Sequence, residues 1–146
     1  MYALCRLDPQ LKGDGPKWLP LLTGICVFAY QTLDNMDGKQ ARRTGSSSAL
    51  GMIFDHTCDA INAVVTTAAM GSVLALGWTP RMLFLFIMAY VPFYFEVWEE
   101  YYTGSMMLLS FNGPTEGLLM TVCICLVSYV VGPHWWHDTV SPLSVL

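Results

Sequence analysis

Charge is what this sequence has least of. Only 12% of its 146 residues are Asp, Glu, Lys or Arg, about half of the roughly 25% found in an average soluble domain. Seven cations against eleven anions leave a net charge of -4 and a pI near 5.1. A chain so poor in Lys and Arg has no basic face to offer a nucleic-acid backbone, and no nucleic acid is expected as a partner. The first 17 residues lack a continuous apolar core, because Asp8, Lys12 and Asp14 interrupt them, so they do not read as a signal peptide. Zinc-type spacing is absent among the five cysteines, and their odd number argues against a disulfide framework. They read as buried thiols acting as small hydrophobes. No internal repeat or low-complexity tract is visible. Hydrophobic residues, in contrast, make up 54% of the chain and aromatics 13%, with a mean hydropathy of +0.46. That excludes a disordered tail and points to a small membrane protein.

Four apolar runs carry this hydrophobicity: Trp18–Leu33, Ala60–Trp78 (extending back toward Ala49), Met82–Trp98 and Gly117–Trp136. A span needs roughly 20 apolar residues, so the fourth run is the cleanest and the first is short. The first two gain length if they continue helically into the polar segment between them. Gly13-Asp14-Gly15-Pro16, Gly77-Trp78-Thr79-Pro80 and Asn112-Gly113-Pro114 punctuate the runs. Pro92 falls inside the third run, where it is expected to kink the span. Trp135, Trp136, His134 and His137 close the fourth as an interfacial belt. The expected architecture is therefore all-α. It is a polytopic transmembrane bundle of about four spans in one domain over 1–146, with a polar segment at 1–17 and a membrane core at 18–136. Lys39, Arg42 and Arg43 favour a cytoplasmic connection between the first two spans, against competition from Lys12 and Lys17. Alternation then puts the segment at 99–116 on that same face.

Asp34, Asp37, Asp55 and Asp59 flank that first connection. Carboxylates at the edge of a membrane are costly unless they pair or bind a cation. Asp34, Asp37 and Ala41 fall within roughly 60° on one helical face, and Gly51, Asp55 and Asp59 within roughly 80° on the next. Two antiparallel helices can thus turn all four carboxylates toward one point, where they would repel without a counter-charge. Lys39, Arg42 and Arg43 offer part of it, as a simple ion-paired hairpin would require. An all-oxygen cluster without His or Cys better suits hard cations, Mg²⁺ or Mn²⁺. Two such ions about 3.5–4 Å apart would clamp a phosphoryl group. Gly38, Ala41 and Gly51 leave room for a bulky ligand beside the acids. A cation pathway fits less well, since the acids sit at one depth.

The pattern Asp34-x2-Asp37-Gly38-x2-Ala41-Arg42-x8-Gly51-x3-Asp55-x3-Asp59 resembles the signature of the CDP-alcohol phosphatidyltransferase family, at eight fixed positions across 26 residues. Asp37-Gly38-Lys39-Gln40-Ala41-Arg42-Arg43-Thr44 and Phe54-Asp55-His56 look like its eukaryotic choline- and ethanolamine-phosphotransferase branch. Tyr102-Thr103-Gly104 and Gly113-Pro114-x-Glu116-Gly117 are similar to later segments of that branch. The resemblance implies transfer of phosphocholine or phosphoethanolamine from CDP-choline or CDP-ethanolamine to diacylglycerol, with release of CMP. It implies an endoplasmic reticulum or Golgi membrane, contact with membrane lipid, and Mg²⁺ or Mn²⁺, two ions. Asp34, Asp37 and Asp55 would be metal ligands, and Asp59 a ligand, the general base, or both.

His56 rivals Asp59 as the base, because imidazole titrates near neutrality and projects roughly 60° from Asp59. Lys39 and Arg42 would hold the diphosphate, Arg42 with the better-matched fork. Gly45-Ser46-Ser47-Ser48 offers backbone N–H groups to phosphate or, more simply, a helix N-cap at Ser48. Glu96, Trp98, Glu99, Glu100, Tyr101 and Tyr102 combine aromatics and carboxylates, as a quaternary ammonium headgroup would want and as any interfacial segment carries. Thr57 stands where the branch would carry glycine. Members of the branch are longer, so the chain reads as a shortened or partial member, and a homodimer is compatible with it. The rival readings are a non-catalytic partner subunit that keeps the metal site and a transferase of another branch using CDP-diacylglycerol.

Overall fold

The computed structural model describes residues 6–104 and 114–136. Four long helices occupy most of them: α1 (Trp18–Thr44), α2 (Ala49–Val73), α3 (Pro80–Thr103) and α4 (Pro114–Val131). The expected all-α class is observed, with no strand among the described residues. As the sequence suggested, α1 runs past the apolar limit at Leu33 to Thr44, and α2 reaches back to Ala49. Asn112, Gly113, His137 and Cys5 lie outside the described residues.

Local chemistry sets the turns. Gly45 adopts a left-handed conformation (φ 65°), and its N–H reaches back to the last carbonyls of α1. The Ser46 N–H donates to the Ala41 carbonyl at 3.1 Å, closing the helix end in the Schellman manner. Arg42 and Arg43 occupy that last turn, where cations offset the helix dipole. Three residues later Ser48 is extended, and its Oγ accepts from the Gly51 N–H at 3.1 Å. The N-cap reading of Ser48 therefore describes what this side chain does. Pro80 opens α3 at its first turn, and Gly104 (φ 68°) ends it.

The core is small and lies away from the polar hairpin. α1 packs chiefly along α4, while α2 packs on α3 and, less extensively, on α4 and α1. One cluster joins Leu11, Leu19, Ala68, Ala69 and Met82, and a second joins Met70, Val73 and Cys125. Gly71 faces the Met82 side chain so closely that any Cβ there would collide with it.

At this end the polar N-terminal segment is pinned by Asp8, which is 2% exposed. Its carboxylate accepts from the Lys12 N–H at 3.0 Å, the Gly13 N–H at 2.8 Å and the Ser72 hydroxyl. The Gly77 N–H donates to the Leu11 carbonyl at 2.8 Å, tying the segment to the turn between α2 and α3.

Elsewhere the surface is apolar: Ile25, Phe28, Leu33, Phe84 and Val130 are all exposed. An apolar surface this extensive is suited to lipid. α3 alone has both the length and the composition of a membrane span among the described residues. The run that looked cleanest in sequence forms the shortest of the four helices, 18 residues with Glu116 in its first turn. Cys125 is buried as expected, but Cys26 and Cys123 are exposed on the apolar outside, so they do not behave as core thiols.

Candidate functional site

Because α1 and α2 are antiparallel and joined by only four residues, Gly45 to Ser48, the C-terminal half of α1 faces the N-terminal half of α2. Asp34, Asp55 and Asp59 meet there, each offering a carboxylate oxygen, and these oxygens all lie within 4.8 Å of one another. Asp34 and Asp59 are half-buried and Asp55 is exposed. Asp37 is exposed and stands outside this trio, near enough for its charge to act on Asp34 and Asp55.

Asp34 and Asp55 lie beyond the apolar run that ends at Leu33 and before the one that begins at Ala60. Partial burial, followed by the Asp59, Asp55 and Asp37 carboxylates, pushes the Asp34 carboxyl up to about 6. Burial and then Asp59 raise Asp55 as well, partly offset by His56. Burial acts first and the neighbouring like charges add to it, both favouring the protonated carboxyl.

His56 lies one residue beyond Asp55, and its Nε2 is 3.1 Å from Oε2 of Glu100 on α3. Both side chains are about a quarter exposed, at 23%. α3 runs back toward the hairpin, so the third helix supplies a carboxylate to the histidine beside the acidic trio. Tyr30, which sequence reasoning did not single out, donates its hydroxyl to Asp59 Oδ1 at 2.5 Å. It stands four residues before Asp34 and thus on the same face of α1; that spacing was the signal available in the sequence.

Among the residues expected to hold the diphosphate, Lys39 and Arg42 are exposed near the end of α1. A Cβ placed on Gly38 would meet only the Arg42 guanidinium, at 3.8 and 3.9 Å, so no protein packing demands glycine there. Ala41 is half-buried, and Gly51 is exposed beside the Ser48 cap. Thr57 donates its hydroxyl to the Ile53 carbonyl at 2.7 Å, and it projects roughly 160° around α2 from Asp55 and Asp59.

The six aromatic and acidic residues near the end of α3 do not gather at one point. Glu96 and Glu100 share one face, and Glu100 alone of the six has a described contact with the acidic hairpin, through His56. Trp98 and Tyr102 project roughly 160° away from Glu100. With Phe95 and Glu99 they line an open recess. Trp98 lies 5.9 Å from Phe95 and 6.2 Å from Tyr102, centroid to centroid, and Tyr101 is 82% exposed.

The sequence model of the CDP-alcohol phosphatidyltransferase family matches residues 13–143, and the chain belongs to that family. Choline/ethanolaminephosphotransferase 2 of Arabidopsis thaliana is 44% identical over 130 residues, 88% of this chain and 33% of the relative. Cholinephosphotransferase 1 of Saccharomyces cerevisiae is 36% identical over 139 residues, 94% of this chain and 35% of its own length. A Dictyostelium discoideum member called an uncharacterized class-I family protein 3 is 45% identical over 130 residues, 88% of this chain and 33% of its own length. The chain thus spans about a third of the length of the curated relatives it matches. The family uses divalent metal ions. The donor set fits one: three carboxylates from two helices, close together, with no competing thiolate or imidazole among them.

Proposed function

We propose that this chain carries the catalytic core of a choline or ethanolamine phosphotransferase. The reaction joins the free hydroxyl of diacylglycerol to the phosphorus that bears choline or ethanolamine in the CDP-linked donor. A new bond forms from the glycerol oxygen to that phosphorus, the diphosphate P–O bond breaks, and CMP leaves with the electron pair. The observation that carries this reading is the convergence of Asp34, Asp55 and Asp59 across the α1–α2 hairpin. The names of the plant and yeast relatives support the choice of donor.

Asp34, Asp55 and Asp59, joined by Asp37, would hold Mg²⁺ or Mn²⁺, and two such ions would stabilise charge on the attacking and leaving oxygens. Arg42 and Lys39 bind the outer diphosphate oxygens, with Gly38 leaving the Arg42 fork open to them. His56 is the better-placed base. Its Nε2 lies 3.1 Å from the Glu100 carboxylate, which would stabilise the imidazolium formed when the ring takes the hydroxyl proton. Asp59 already receives the Tyr30 hydroxyl, which favours holding a cation over moving a proton. The aromatic recess on α3 faces away from Glu100, so it supports an interfacial role for Trp98, Tyr101 and Tyr102 over a headgroup cage. Glu96, Glu99 and Glu100 are the anions that this end of α3 offers a cationic headgroup.

The cations Arg42 and Arg43 at the hairpin support a cytoplasmic site on an endoplasmic reticulum or Golgi membrane. The test uses the purified chain in lipid nanodiscs with labelled CDP-choline or CDP-ethanolamine, diacylglycerol and Mg²⁺ or Mn²⁺. Metal-dependent phospholipid that disappears in Asp59→Ala is the expected result. CDP binding without product would overturn the transferase reading and leave a metal- and nucleotide-binding partner.

A further inference from the structure

We propose that Tyr30 is a positioning residue that holds the Asp59 carboxylate in place for a divalent cation. The inference rests on the cation-binding role of the acidic trio proposed above and deepens it. Its basis is a contact between two helices. The Tyr30 hydroxyl on α1 donates to Asp59 Oδ1 on α2 at 2.5 Å, across 29 residues of sequence. α1 touches α2 less than it touches α4. The clasp therefore sits where packing does little to fix the register of the two helices.

Its chemistry suits the task. Three carboxylates with oxygens within 4.8 Å of one another repel when no cation lies between them. Asp59 can relieve that repulsion by rotating about χ1, away from Asp34 and Asp55. A phenol hydroxyl opposes this rotation with a neutral donor, so it adds no cation that would compete for the site. A tyrosine side chain has few rotatable bonds, so holding it costs little entropy. Tyr30 occupies one lone pair of Oδ1 and leaves the other lone pairs of the carboxylate for a metal. Since Tyr30 is one helical turn from Asp34, α1 presents its donor and its own carboxylate on a single face.

The experiment titrates MnCl₂ alone into the purified chain in nanodiscs, reading free aqueous Mn²⁺ by electron paramagnetic resonance. Tyr30→Phe should weaken Mn²⁺ binding by about 10–100-fold, the usual effect of losing a group that orients a metal ligand. Tyr90→Phe is the matched control, because Tyr90 donates instead to the Ala60 carbonyl at 3.4 Å, and it should leave the affinity unchanged. In an Asp59→Asn background, Tyr30→Phe should weaken binding no further. Tyr30→His keeps a ring with an N–H donor and should recover part of the lost affinity.

Wild-type affinity in Tyr30→Phe, or equal weakening in the Asp59→Asn background, overturns the proposal. So does loss of the helical spectrum in both the Phe and His variants, which would make Tyr30 purely structural. Wild-type chain without saturable Mn²⁺ binding overturns the acidic trio as a cation site, and this inference with it. Wild-type binding that Asp34→Asn removes but Tyr30→Phe does not touch overturns this inference alone.

Discussion

The two ends of the bundle use aspartate in opposite ways. At the end where α2 turns into α3, Asp8 is 2% exposed and accepts hydrogen bonds from Lys12, Gly13 and Ser72. At the other end, Asp34, Asp55 and Asp59 share one place, where Tyr30 donates to Asp59. A carboxylate surrounded by donors is stable as an anion and holds the fold together. Carboxylates surrounded by each other are unstable as anions until a cation arrives. The first arrangement is complete without a ligand and the second is not, and this difference separates a structural clasp from a binding site more clearly than residue type or burial does.

Exchanging the losses gives the largest expected effects. Asp8→Ala leaves three donors facing apolar surroundings and should destabilise the chain by on the order of 3 kcal/mol. Mn²⁺ affinity of the protein that remains folded should not change. Asp34→Ala should do the reverse. It should remove metal binding and turnover, while the cation-free melting temperature stays level or rises because one repelling charge is gone. Thermal melts and Mn²⁺ titrations on the same two variants decide the matter. If both variants lose stability and keep the metal, the two ends are alike and the comparison fails.

Much of the site end was legible in the sequence because helical spacing is a local property. The i, i+4 step from Asp55 to Asp59, the Gly-Ser-Ser-Ser connection and the Ser48 cap are all read within a few residues. What brings Asp34 to meet them is only a short antiparallel turn. The features that escaped depend on how one helix is placed against another. Tyr30 sits in an apolar run and looks like one more lipid-facing aromatic until α2 is beside it. Asp8 looks like an ordinary polar residue of a terminal segment until Ser72, 64 positions later, donates to it. The aromatic and acidic residues at the end of α3 share a stretch of sequence, but the helix divides them between two faces. Only the packing of α3 on α2 shows that Glu100 lies on the side of the site and Trp98 does not. Span count was legible only in part, because the charges within α1 and the shortness of α4 blur the boundary between a span and its continuation.

A smaller effect is expected from Glu100, which separates the base from the metal ligands within the site end itself. Glu100→Gln keeps the shape of the side chain and a contact to His56 while removing the charge that stabilises imidazolium. Turnover should fall by about tenfold, less than the roughly 10²–10⁴-fold a general base contributes in full, because the base itself remains. Mn²⁺ affinity should stay at the wild-type value. A variant with altered metal affinity and wild-type turnover at saturating metal would place Glu100 with the trio and remove His56 from the reaction.

The smallest effect is a dependence of stability on pH that arises at the acidic trio. Asp34 is raised from 3.8 to about 6 in the folded chain, so the native state holds that proton more tightly than the unfolded state does. The stability this contributes is full below about pH 4 and is lost as the pH rises through about 6. Without cations, the chain should therefore melt at a higher temperature at pH 5 than at pH 7. The difference should be under about 1 kcal/mol, because Asp34 is partly exposed and solvent screens the repulsion. Added Mg²⁺ should reverse the trend, since a cation needs the carboxylates deprotonated and competes with the proton below pH 6. Asp34→Asn should flatten both profiles, whereas the Asp8 end contributes equally with or without Mg²⁺. A cation-free melting profile that rises from pH 5 to pH 7 would mean that the acidic trio is already neutralised within the protein. The two ends would then be two versions of the same clasp.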